Sequence, residues 1–117
     1  MASKRIAVVT GGNKGIGFEI CKQLLASSSH DVLVVVTARD EQKGLQALHK
    51  LKTLGLSENT FVFRQLDVTD PSSITSFADF IGTQFGKLDI LVRVYGRKFK
   101  IFVSHDENHA GYESFDR

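Results

Sequence analysis

A short apolar run, Ile6–Thr10, feeds directly into Thr10-Gly11-Gly12-Asn13-Lys14-Gly15-Ile16-Gly17, and that loop opens a helical pattern. Few folds need three glycines, at 11, 15 and 17, in one strand-to-helix turn. The first lets the chain turn sharply off the strand. The second leaves no side chain in the path of an approaching pyrophosphate. The third lets the helix pack tightly against the strand. The helix start adds free N–H groups and a partial positive charge, so the turn suits an anion. A glycine triplet alone also marks plain turns. The phosphate-binding reading therefore depends on the strand before it, the helix after it and a surrounding βαβ unit.

The rest of the chain supplies that context. Ile6–Thr10, Val32–Thr37, Phe61–Leu66 and Leu88–Val92 are rich in β-branched residues, and three of the four are nearly continuous apolar runs, as in parallel strands buried on both faces. Three helical patterns lie between them. Ile16, Ile20 and Leu24, flanked by Cys21 and Leu25, give the first; Leu45, Leu48, Leu51 and Leu54 give the second. Ile74, Phe77, Ala78, Ile81 and Phe85 give the third, opened by Asp70 as N-cap and Pro71 as the first helical residue. Asp40 is placed to cap the second. The order β-α-β-α-β-α-β predicts an α/β fold, the N-terminal half of a Rossmann fold. Its parallel sheet has strand order 3-2-1-4 and helices on both faces. From about Gly96 the pattern breaks. Phe99, Ile101 and Val103 alternate with Lys98, Lys100 and Phe102 and suggest a short edge strand, whereas Ser104–Arg117 reads as a loose, irregular tail. The expected division is a partial dinucleotide-binding domain over residues 1–96 and a divergent tail over 97–117.

Composition excludes more than it suggests. A net charge of +2 over 117 residues gives no basic face for nucleic acid. No apolar run approaches the ~18 residues of a membrane helix, and Ile6–Val9 is too short for a signal-peptide core. One cysteine, Cys21, allows no internal disulfide, so a reducing, cytoplasmic location is expected. His105 and His109 stand four apart, but nothing there suggests a helix and no third metal ligand is apparent. They read as part of a solvated tail, and His30 and His49 as surface residues. Cys21 reads as a packing thiol.

The loop spacing is T-G-x-x-x-G-x-G. Together with Thr37-Ala38-Arg39-Asp40, Leu66-Asp67-Val68-Thr69 and Leu88-Asp89-Ile90-Leu91-Val92, it resembles the short-chain dehydrogenase/reductase family over residues 4–92. The likeness is to the NADPH-dependent carbonyl-reductase-like branch that includes plant menthone, neomenthol and salutaridine reductases. The resemblance implies oxidoreduction between carbonyls and alcohols, with cofactor contacts from Gly11, Asn13, Lys14, Gly15, Ile16 and Gly17.

The choice of cofactor turns on charge. A 2′-phosphate needs cations near the end of the second strand. Arg39 stands there and Lys14 lies in the glycine loop, so NADP is expected; solvated cations are the competing reading of both. An enzyme for NAD more often carries an acid at this strand end. Asp40 is the rival for that role and reads instead as a helix cap. The resemblance gives Asp67 and Val68 to the adenine ring, while Asp67 also reads as a turn acid capping nearby N–H groups.

The resemblance fails after Val92. Where the family has Asn-Asn-Ala-Gly, this chain has Arg93-Val94-Tyr95-Gly96, and only the glycine matches. Family chemistry uses a Tyr with a Lys four residues later. Here Tyr95 is followed at that distance by Phe99, and Tyr112 by Asp116, so no catalytic residue is assigned. The expectation is a truncated isoform that holds NADP(H), is inactive alone, and associates with itself or a protein partner through an exposed strand-4 edge. The alternative is a non-enzymatic interaction module pairing with full-length relatives.

Overall fold

The computed structural model describes residues 4–27, 31–104 and 112–116. The order is β1 (Arg5–Val9), α1 (Gly15–Ser27), β2 (Val32–Ala38), α2 (Glu41–Thr53), a 3-10 turn (Glu58–Thr60), β3 (Phe61–Gln65), α3 (Pro71–Gln84), β4 (Ile90–Tyr95), β5 (Lys98–Ser104) and β6 (Tyr112–Asp116). The strands form one sheet in the order β3-β2-β1-β4-β5-β6. The first four are parallel, with Val9 level with both Val36 and Val92. The expected 3-2-1-4 arrangement is present.

The helix starts follow their caps. The Asp40 carboxylate accepts from the Gln42 and Lys43 N–H groups at 2.9 and 3.2 Å, and Asp70 accepts from the Ser72 N–H at 3.0 Å, with Pro71 in the first turn. The two faces of the sheet are unequally covered. On one, Cys21 and Leu25 of α1 and Leu51 of α2 pack against Ala7, Val9, Val34 and Val36. On the other, Ile81, Phe77 and Phe80 of α3 alone cover Ile6, Val8 and Val35. The buried side of α2 differs from the leucine stripe expected of it. Gly44, Ala47 and Leu51 are buried, while Leu45 and Leu54 are exposed. The cause is close approach: a Cβ at Gly44 would lie 1.9 Å from the Phe63 ring. The helix therefore sets Gly44 close against β3 while Leu48 and Leu51 pack into the core.

The C-terminal segment corrects two expectations. Over its described residues it is not irregular, while 105–111 and 117 lie outside them. A two-residue turn at Gly96-Arg97, with Gly96 at φ +59°, reverses the chain. β5 then pairs antiparallel with β4 from Tyr95↔Lys98 to Ile90↔Val103, and β6 pairs antiparallel with β5. The alternation seen in the sequence is the reason. Phe99 and Ile101 reach the α1-side core, while the intervening lysines fall on the other face. Consequently β4 has no exposed edge, and the association expected through it has no free strand to use. Among the described residues no helix is long and apolar enough to cross a membrane.

Candidate functional site

Helices α1 and α3 leave the sheet on opposite faces, so the strand order reverses between β1 and β4. A crevice at the carboxyl ends of the strands opens at such a point. The Thr10–Gly17 loop borders it and is tied to both neighbouring strands. The Gly12 N–H donates to the Thr37 carbonyl (2.8 Å) and the Thr10 N–H to the Val92 carbonyl (2.9 Å). The buried Thr37 hydroxyl donates to the Val9 carbonyl at 2.8 Å, and the Val94 N–H donates to the Thr10 hydroxyl at 2.9 Å. Each bond satisfies a backbone group that the turn would otherwise strand.

The three glycines differ in their surroundings. Gly11 and Gly15 have φ of +60° and +59°, and a Cβ at either would meet nothing within 4 Å, so the space beside them is open. A Cβ at Gly17 would lie 2.1 Å from the Gly11 carbonyl oxygen. The helix is seated on the loop because that atom is missing. Cys21 lies beneath, its sulfur 3.1 Å from where a Gly12 Cβ would be. Burial pushes its thiol up to about 12, so it stays protonated and packs rather than reacts.

Lys14 and Arg39 are exposed, Asn13 and Ile16 half-buried. Arg39 follows β2, and its carbonyl accepts from the Gln65 side chain at 2.9 Å, pinning the end of β2 to β3. Asp40 spends its Oδ1 on the start of α2. Asp67 begins the turn after β3. Its Oδ1 accepts from the Thr69 hydroxyl (2.6 Å) and N–H (2.9 Å). These bonds, with a smaller contribution from the Arg39 charge, hold its carboxyl below the usual range. The turn-capping reading of Asp67 is thus present in the structure, on one oxygen. Val68 beside it is exposed. The nine residues singled out from sequence therefore follow the carboxyl ends of β1, β2 and β3, along one edge of the sheet.

Beyond the loop, a groove of about 620 Å³ runs along α3, lined by Thr10, Leu66, Val68, Ile74, Leu91 and Arg93 among others. The Arg93 guanidinium lies 5.0 Å from the centre of the Tyr95 ring. Sequence reasoning missed two groups, the Thr10 and Thr37 hydroxyls. Their signal was a threonine at the end of each apolar strand, but their partners lie on other strands. His49 is exposed on α2; His30, His105 and His109 lie outside the described residues. Among the described residues no three His, Cys, Asp or Glu side chains cluster as metal ligands.

The sequence matches the family described as short chain dehydrogenase over residues 5–114. The chain belongs to that family. Short-chain dehydrogenase relatives include a (+)-neomenthol dehydrogenase of Arabidopsis thaliana, 58% identical over 93 residues, covering 79% of this chain and 30% of the relative. Carbonyl reductase [NADPH] 1 of Mus musculus is 45% identical over 100 residues, 86% of this chain and 34% of the relative. The solved structure of menthone neomenthol reductase from Mentha piperita superposes with a TM-score of 0.73 at 50% identity, over 81% of this chain and 32% of that one. This chain thus spans about a third of the length of such short-chain dehydrogenases. The family match also runs past Val92, through β4 and β5 and into β6.

Proposed function

We propose that this chain binds NADP(H) at the carboxyl edge of β1–β3. The observation that carries this reading is the glycine loop: it is tied to β2 and β4 by backbone groups, yet the space beside Gly11 and Gly15 is open at the start of α1. A diphosphate there would meet the free N–H groups of the helix start. In this reading Gly11, Asn13, Gly15, Ile16 and Gly17 form the cradle. Lys14 and Arg39 hold the 2′-phosphate, and Asp67 and Val68 hold the adenine. The relative named carbonyl reductase [NADPH] supports the choice of cofactor. Calorimetric titration with NADP and NAD tests it; no binding of either at millimolar concentration would refute it.

The reaction class suggested by the family is carbonyl–alcohol oxidoreduction. These 117 residues contain no Tyr-x-x-x-Lys pair, so the chain on its own is expected to bind cofactor without turnover. We take residues 1–96 as the cofactor-binding unit, 97–117 as a divergent segment and the cytoplasm as the location. Measurable NADPH oxidation with small ketones or aldehydes by the isolated chain would contradict this. The groove beside α3 favours a second reading, an interaction module pairing with full-length relatives, because it leaves apolar Val68 and Ile74 exposed.

A further inference from the structure

We propose that this nucleotide site serves one half of a dinucleotide: it takes 2′-phospho-ADP-ribose as tightly as NADP(H), because the β4–β5 hairpin stands where the other half would run. This rests on the NADP(H) reading above and narrows it.

Sheet order sets the direction of the ligand. Arg39, Asp67 and Val68 follow β2 and β3, on one side of β1. With the adenosine end there and the diphosphate at the glycine loop, whatever is attached beyond the second phosphate must leave on the other side, over the carboxyl end of β4. In an open α/β crevice that path is clear. Here β4 does not stop level with β1. Val9 pairs with Val92, the last residue of β4 opposite β1, and β4 then continues through Arg93, Val94 and Tyr95 before turning into β5. Three residues at ~3.3 Å each raise the strand by about 10 Å above the end of β1. The extension is not a loop that can peel away. Arg93↔Lys100, Val94↔Phe99 and Tyr95↔Lys98 pair it with β5, the Val94 N–H is fixed to the Thr10 hydroxyl, and Phe99 is packed into the α1-side core.

The chemistry of the hairpin agrees with its position. Its exposed side chains are Arg93, Tyr95, Arg97 and Lys98. Cations beside the glycine loop attract phosphate and repel the positively charged ring of oxidised nicotinamide. Tyr95, the exposed aromatic ring of the hairpin, already has the Arg93 guanidinium over it, which hinders stacking by a cationic ring.

The test is a comparison of ligands on the intact chain. Calorimetry should give dissociation constants for NADP and 2′-phospho-ADP-ribose within about threefold of each other. Saturation-transfer NMR with NADP should mark the adenine protons and leave the nicotinamide protons unmarked. NADP binding about tenfold or more tightly than 2′-phospho-ADP-ribose, or equal saturation of both rings, would overturn the proposal while leaving the NADP(H) reading intact. Absence of binding by both ligands would overturn the two together.

Discussion

Gly17 shows how much rests on one missing methyl group. A Cβ there would overlap the Gly11 carbonyl oxygen at 2.1 Å, and the oxygen belongs to backbone held by the loop. Gly17→Ala must push α1 off the loop, and overpacking of this kind costs about 1–3 kcal/mol. Urea unfolding of the variant should show a lowered midpoint, with NADP affinity falling alongside. In the proposed site Arg39 would act on ligand rather than fold. Arg39→Ala removes a charge-assisted contact of about 1.5–3 kcal/mol to a 2′-phosphate, so affinity for NADP should fall about tenfold or more. Affinity for NAD should barely change, and equal losses would remove Arg39 from that role. Asp67 gives a pH signature. Its carboxyl is held low by Thr69, so the ionised form is the one the fold favours. That contribution is complete above the ordinary carboxylate value and is lost as pH falls through the lower, folded-state value. Stability measured across pH 5 to 2 should decline less steeply in Asp67→Asn. The glycines were legible in the sequence because their work is done by backbone. The turn-capping bonds of Asp67 were legible only as one of two alternatives, since they depend on the position of Thr69.

Between elements, the tie from β4 to the glycine loop is the contact that sequence could not supply. The Thr10 hydroxyl accepts from an N–H 84 residues away, and nothing local to either residue announces it. Thr10→Val keeps the shape and removes the acceptor, leaving a partly buried N–H unpaired, at a cost of about 1–3 kcal/mol. Amide exchange at Val94 should accelerate in this variant and stay slow in Thr10→Ser. The helices were read well where caps and period agreed, as at Asp70-Pro71. The α2 stripe held for Leu48 and Leu51, which pack into the core, but close approach to Phe63 buries Gly44 while Leu45 and Leu54 stay exposed. The alternation of Phe99, Ile101 and Val103 was readable as β5. β6 was not, because Tyr112–Asp116 carries no apolar alternation and its strand character lies in its pairing with β5.

At the scale of the molecule, six strands among the described residues are served by two helices on one face and one on the other. A helix ~10–12 Å across covers about two strands spaced ~4.8 Å apart, so α3 buries Ile6 and Val8 of β1 but leaves Leu91 of β4 half-buried. Ile74, with 46% of its surface exposed, lies on that groove. Sedimentation velocity should show mass rising above the 13.0 kDa of one chain with concentration, and Ile74→Asp should hold the monomer; a wild-type chain that stays monomeric throughout would contradict this. The sequence order of strands and helices made this asymmetry foreseeable, while the closure of the β4 edge depended on where the legible β5 pairs, which only the register shows. The central claim is that the Thr10–Gly17 loop and Arg39 make a site for NADP(H). Isothermal titration of the purified chain with NADP and NAD tests it most directly. Saturable binding of NADP, about tenfold or more tighter than NAD, is the expected result; no binding of either at millimolar concentration, or no preference between them, would contradict it.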